Sequence, residues 1–438
     1  MYSTIMVVIF VLGYLCIALE HPLKLDKSAI ALIIGVLTWT VFITLGNETG
    51  IAPELFRSEI LSELNENLAE TSQTLFFLFA AMTIVEIIDR HNGFKVITDK
   101  INETNKVKLM WIISLLTFFM SAVLDNLTTT IVILSLLRKL IGDKETRWTF
   151  ASIVVIAANA GGAWSPIGDV TTIMLWIGGQ ITASKIITGI FIPSLISMVV
   201  PLIILSFTMK GTLERPKGEA DEISITSPRE QLGFLILGVS LLLFVPVFKT
   251  LTHLPPFMGM LLSLGILWGL AQFQTLMSRA KRRKLLNVGQ CLKRVETSTI
   301  FFFLGILTAV GALGAAGQLG LLSEWLRDVT GGNVYIIDSV IGVLSSIIDN
   351  VPLVSSSMGM YPIDPAVAEF ATDGTFWQML AYCAGTGGSI LIIGSAAGVA
   401  AMGLEKIDFI WYLKKISWLA LVGYFAGVAC IYLESVIF

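Results

Sequence analysis

The chain has 438 residues, of which 55% are hydrophobic and 14% charged, and its mean hydropathy is +0.82. Such an apolar composition excludes an ordinary soluble domain and leaves length for ten or more bilayer crossings. A net charge of −3 argues against a nucleic-acid partner, and Cys16, Cys291, Cys383 and Cys430 lack metal-ligand spacing, so they read as inert apolar side chains.

Apolar runs fall at 2–19, 27–46, 72–90, 107–141, 148–179, 186–209, 230–249, 255–272, 298–316, 333–360, 376–402 and 410–434. The first has no basic region before it and no small-residue cleavage site, so a retained helix is expected rather than a signal peptide. Runs 107–141 and 333–360 each fit either one kinked span or a hairpin that enters and leaves on one side. Loop charge separates these readings, because Lys and Arg collect on the cytoplasmic face. With both runs as hairpins, one set of alternating loops holds 25 of the 29 basic residues; the other holds only Arg57, Lys185, Lys249 and Arg327, together with the acidic stretches around Glu63 to Glu70 and Asp364 to Asp373. With both as crossings, the basic loops 90–108 and 138–148 land on opposite sides. The expected fold class is therefore an all-α polytopic membrane protein of about ten crossings plus two re-entrant hairpins, with both termini outside.

Five crossings separate the two hairpins, so the second enters from the opposite face and the repeats are inverted, the architecture of many secondary transporters. Residues 1–71 are expected to form N-terminal scaffold helices and a loop. The first repeat is 72–209, with hairpin 107–141 and interrupted helix 148–179. A cytoplasmic linker, 210–229, leads to scaffold helices and a basic loop at 230–297; the second repeat is 298–438, with hairpin 333–360 and interrupted helix 376–402. The run RAKRRK at 279–284 reads as an orientation signal and a contact for anionic lipid.

The polar chemistry sits inside these apolar runs. Asp125-Asn126 and Asp349-Asn350 stand 224 positions apart, one pair in each hairpin. A carboxylate at a helix centre costs roughly 2.5 to 3.5 kcal/mol to insert, so the chain must use it or neutralise it. Ser121 and Ser345 each precede the acid by four residues, on the same helical face. Each tip thus offers a carboxylate, a carboxamide and a hydroxyl, hard oxygen ligands suited to a small cation. The alternative for Asp125 is a cap on the following helix segment.

Some 35 residues after each pair comes a glycine-rich break, NAGGAWSPIGD at 159–169 and GTGGSILIIGS at 385–395. The first carries Asn159, Ser165 and Asp169, with Thr171 and Thr172 beyond; the second carries Thr386, Ser389 and Ser395, with no acid where Asp169 stands. Asp169 reads as an ion or proton ligand, or else as an N-cap; Gly394 and Gly398 fit simple helix packing equally well. Glu86 fits either a proton relay from the cytoplasmic side or an interfacial acid near Arg90. His21, His91 and His253 all fall in loops, no nucleotide-binding glycine loop is present, and no nucleophile–base cluster is visible. The reading is a carrier driven by an ion gradient, not an enzyme, with no cofactor.

The segments SAVLDNLTTTIV (121–132), NAGGAWSPIGDVTTIMLW (159–176) and SSIIDNVPLV (345–354) resemble those of the NhaD-type sodium/proton antiporters of the ion transporter superfamily. The similar order of spans extends over nearly the whole chain. This resemblance implies exchange of sodium or lithium for protons across a bacterial inner membrane, or a plastid envelope in a plant. It implies ion and proton work at Asp125, Asn126, Asn159, Asp169, Thr171, Thr172, Asp349 and Asn350, with Ser121, Ser345, Thr386 and Ser389 as supporting oxygens. Partners are then small cations and the lipid bilayer, and a homodimer stays open. Related dicarboxylate carriers have Ser-Asn-Thr at the matching tips; Asp in place of that Ser argues against an anion or oxyanion substrate. Competition of a metal ion and protons for the aspartates, which desolvation pushes toward the protonated form, is the expected mechanism.

Overall fold

A computed structural model of the chain describes residues 2–18, 25–47, 52–98, 100–101, 103–213, 226–276, 286, 288–295, 297–347 and 350–437. Asp349, most of the linker (214–225) and the basic run 279–284 lie outside the described residues. The main helices are α1 (Tyr2–Ala18), α2 (Lys27–Leu45), α3 (Pro53–Arg90), α4 (Lys106–Leu124), α5 (Asn126–Leu140), α6 (Lys144–Ala163), α7 (Val170–Ile177), α8 (Ala183–Thr208) and α9 (Pro228–Thr252). They continue as α10 (Pro256–Leu276), α11 (Thr297–Ala315), α12 (Gln318–Thr330), α13 (Val334–Leu344), α14 (Asn350–Met360), α15 (Thr375–Gly387), α16 (Ala396–Glu405), α17 (Phe409–Lys415) and α18 (Ser417–Ile437).

Among the described residues, eight helices are long and apolar enough to cross a membrane: α2, α3, α4, α8, α9, α10, α11 and α18. The protein is a polytopic helical membrane protein. Polar caps mark where chain re-enters helix from a loop. Asp26 accepts from Ser28 N, Asn105 from Lys108 N and Asp143 from Thr146 N, and Ser227 with Glu230 forms a capping box. The outward faces carry Leu12, Val36, Phe207, Ile236, Leu251 and Phe273, all exposed, as a lipid-facing surface requires.

Length alone would let α4 cross, but its contacts make it one arm of a hairpin. Lys106 Nζ, at its start, lies 3.5 Å from Thr146 Oγ1 near the start of α6. Arg147, beside Thr146, donates to the Ile141 carbonyl just past the end of α5. Both open ends of α4–α5 therefore meet the same end of α6, and the tip at Asp125 lies far from it. In the second hairpin, Tyr361, just beyond α14, packs on Phe376 at the start of α15, and the tip reaches the break that follows α15.

The two interrupted helices run antiparallel. Trp148 Nε1 near the start of α6 donates to the Glu405 carbonyl at the end of α16. Asp373 N, just before α15, donates to the Gln180 carbonyl just beyond α7. Glu405 also bridges Arg138 and Arg147, each at 2.6 Å.

Around this core, small residues let helices close tightly. Gly35 of α2 abuts Gly305 of α11, where a Cβ would lie 2.7 Å from the Gly305 carbonyl oxygen. Trp39 and Ser28 of α2 donate to the Thr308 and Ser298 carbonyls.

Three expectations are corrected. The acidic stretch Glu63 to Glu70 is not a loop: α3 is continuous from Pro53, because Pro at the first turn and Glu-, Leu- and Ala-rich sequence favour helix without any apolar run. The 316–333 connection contains the amphipathic helix α12, with Leu321, Leu322, Trp325 and Val329 exposed along it. The last run is split at Ile416, so the final crossing is α18; Lys414 and Lys415 end the short α17.

Candidate ion site

Asp125 breaks the first hairpin with φ 84° and ψ 159°, a conformation that L side chains rarely adopt. Holding it costs on the order of 1–3 kcal/mol. Its carboxylate offsets part of that by capping α5, accepting from Thr128 N and Thr128 Oγ1, each at 2.8 Å. Asp125 remains half-buried and lines a small cavity of about 50 Å³, which it and Asn126 share with Phe77, Val85, Leu242 and Phe303.

Asn126, the next residue, turns inward. Its Nδ2 donates to Asp169 Oδ2 at 2.7 Å and to Asn159 Oδ1 at 3.1 Å. Asn159 Nδ2 in turn donates to Ser389 Oγ at 2.9 Å and Ser395 Oγ at 2.8 Å, crossing to the second break. From the other hairpin tip, Asn350 Nδ2 approaches Asp169 at 3.3 Å and 3.4 Å from its two oxygens. Asp169 Oδ1 also accepts from the backbone N–H and hydroxyl of Thr171, both at 3.0 Å, and so caps α7. One network thus joins both hairpin tips and both breaks, with Asn159 and Asp169 at 0% and 1% exposure.

The chemistry of this network is that of oxygen ligands. Asn126 and Asn350 commit amide N–H groups to Asp169, and each retains a carboxamide oxygen as an acceptor. Neither hairpin core nor either break contains Lys or Arg in its sequence.

The other expected residues divide. Ser389 joins the network. Ser121 and Ser345 instead donate to the Ala158 and Ala384 carbonyls, at 2.6 Å and 2.9 Å, tying each hairpin arm to its interrupted helix. Thr172 and Thr386 donate to the Asp169 and Tyr382 carbonyls. Glu86 lies outside the cluster and pairs with Arg294 at 3.1 Å. Ser395 belongs to the network but not to the expected ligand set; its signal was its place, 226 positions after Asp169.

A larger cavity, of about 440 Å³, lies between α3, the end of α7, α11 and α14, with Glu70, Gln73, Gln180 and Ser355 on its wall. It sits toward the end of the core opposite Arg147 and Glu405.

A family model described as citrate transporter matches residues 14–387. Sodium/proton antiporter 1 of Arabidopsis thaliana is 47% identical over 97% of this chain and 71% of its own length. Sodium/proton antiporter 2 of the same plant is 46% identical over 97% of both chains. The Na(+)/H(+) antiporter NhaD of Vibrio cholerae is 32% identical over 96% of this chain and 89% of its own. By these matches, and by the same motifs that build the buried network, the chain belongs to the citrate-transporter family and, within it, to the NhaD-type sodium/proton antiporters.

Proposed function

We propose that this chain exchanges sodium, or lithium, for protons across a bacterial inner membrane or a plastid envelope, with ion and protons competing for Asp125, Asp169 and Asp349. The observation that carries the reading is Asp169: a fully buried carboxylate that accepts from carboxamides of both hairpin tips. A cation and a proton would compete for the same carboxylate oxygens, so binding of one would displace the other. Asp125 faces its own cavity beside the network, and its strained backbone fits a site that rearranges. The antiparallel interrupted helices support inverted repeats, so a rocking motion would expose the network to either side in turn.

Citrate does not fit this site. A tricarboxylate brought to the network would meet Asp125 and Asp169 with no Lys or Arg supplied by the hairpin cores or the breaks, and like charges there repel. The test is dye-monitored proton flux in vesicles holding the purified protein, challenged with sodium, lithium, potassium and citrate. Sodium and lithium should release protons and citrate should not. Flux driven by citrate alone would sink the reading.

A further inference from the structure

The network leaves one buried acid unexplained. Asp338 lies on α13, the first arm of the second hairpin, at 0% exposure, and no hydrogen-bond donor among the described residues reaches either carboxylate oxygen. It shares a face with Gly342 and Ser345, four and seven residues on, and that face packs on α15. There a Cβ on Gly342 would lie 2.6 Å from the Cys383 carbonyl, and Ser345 donates to the Ala384 carbonyl. Asp338 therefore stands two helical turns, about 10 Å, from the serine that anchors the tip.

Among the described residues, its surroundings supply no counter-charge. The Cys383 thiol on α15, the Tyr424 phenol on α18 and the Tyr361 phenol just beyond α14 lie near enough to interact with it electrostatically. Tyr424 spends its hydroxyl on the Ser339 carbonyl, at 2.9 Å. The sequences of α13, α14 and α15 contain no Lys or Arg; α18 contributes only Glu434, whose carboxylate accepts from the Cys430 thiol, and α12 offers Glu324, Asp328 and Arg327, the last of which pairs with no described acid. An ionised carboxylate would find neither a donor nor a counter-charge there among the described residues, so its charge would stand uncompensated. At the matching place of the first hairpin, 224 positions earlier, stands Ser114, whose hydroxyl is satisfied by the Met110 carbonyl at 2.8 Å. The second half thus holds an acid where the first has a self-satisfied serine.

We propose that Asp338 is a further proton-binding site of the transport cycle, loaded in this conformation and emptied when α13 separates from α15. In that step the carboxyl O–H bond breaks, the proton passes to water admitted along the arm, and the carboxylate is reprotonated from water when the arm closes again. The proposal rests on the antiport reading above.

Full-length protein in vesicles tests it through Asp338→Asn, a neutral mimic of the loaded state, and Asp338→Glu. The asparagine variant should keep wild-type thermal stability and sodium binding yet lose exchange by roughly a hundredfold, as removal of a proton-transfer group does; the glutamate variant should recover part of it with a displaced pH profile. Exchange within about twofold of wild type and an unmoved pH profile in the asparagine variant would overturn the proposal, because a static neutral acid tolerates that change. Infrared difference spectra of the wild type read the same group without transport. A protonated-carboxyl band that is absent in Asp338→Asn, or shifted in Asp338→Glu, should change on sodium addition; a band indifferent to sodium and to pH refutes the site even if the variants fail to fold. Should wild-type vesicles exchange no sodium for protons, the antiport reading fails, while the infrared band still decides whether Asp338 binds and releases a proton.

Discussion

In the first half of the core, Ser121 clamps its hairpin arm to Ala158, and a Cβ on Gly168 would lie 2.8 Å from the Ser121 carbonyl. In the second half Ser345 clamps to Ala384, and Gly394 stands the same 2.8 Å from the Ser345 carbonyl. Gly161 meets the Phe118 backbone as Gly387 meets that of Gly342. Even the caps after each break agree in backbone, with φ and ψ of −145° and 149° at Asp169 and −147° and 156° at Ser395. The polar cargo differs: Asn159 and Asp169 stand in one break where Gly385 and Ser395 stand in the other. Backbone fit is thus repeated and ion chemistry is not, so shape and charge are separable by mutation.

The largest expected effect comes from the unshared charge. Asp169→Asn keeps an N-cap, since Asn caps about as well as Asp, but removes the carboxylate that both tip carboxamides address. Exchange should fall on the order of a hundredfold, about 2.7 kcal/mol, with the unfolding midpoint close to wild type. If stability collapses along with transport, Asp169 is chiefly a cap and the comparison breaks. Next come the shared glycines. Gly161→Ala and Gly387→Ala each drive a methyl into a backbone carbonyl that cannot swing aside, costing about 1–3 kcal/mol apiece. Matching losses of thermal stability would sharpen the comparison; a harmless Gly387→Ala beside a damaging Gly161→Ala would show that only the first half is tightly fitted.

The two cross-links between halves extend the contrast. Glu405, with a side chain 1% exposed, holds Arg138 and Arg147, whereas the Asp373 carboxylate at the other end accepts from Thr182 N and Oγ1. Arg138 is 46% exposed and is partly rehydrated once its partner is lost. Glu405→Gln should therefore cost about 1–2 kcal/mol, below the cost of breaking a fully buried pair. Asp373→Asn, at a neutral contact, should cost less. Denaturation at rising salt separates them, since only the charged link should weaken; equal salt dependence would count against it.

Much of this architecture was legible in the sequence because its signals were local. Basic loops separated hairpins from crossings, and glycine runs marked both breaks. The pairing of Asn126, Asn159 and Asn350 around Asp169 was foreshadowed only by their depth in apolar sequence. What escaped detection depended on tertiary contact or on mixed patterns. In α12, Glu324, Arg327 and Asp328 interleave with Leu and Trp, so no apolar run appears. The acid-rich start of α3 looks like a loop by hydropathy although its residues are good helix formers. Ser121 and Ser345 carry oxygens of the right kind at the right spacing; sequence does not reveal that a backbone carbonyl on another helix accepts their hydrogen bonds. Asp338 was one acid in an apolar run, with no neighbouring Asn to draw notice.

The smallest effect expected is also the most direct check on the repeat. Ser121→Ala and Ser345→Ala each remove one buried hydroxyl donor and leave one carbonyl short of a partner, a loss of about 1 kcal/mol. Because neither hydroxyl points into the Asp169 network, sodium affinity should stay near wild type while both unfolding midpoints drop by similar amounts. If the serines were instead cation ligands, as their spacing from the tip aspartates suggested, the alanine variants would raise the sodium concentration needed for half-maximal exchange and leave stability unchanged. Measuring both quantities on both variants therefore decides between clamp and ligand. A split result, with Ser345 behaving as a clamp and Ser121 as a ligand, would mean that the two halves differ in their backbone fit as well as in their charge.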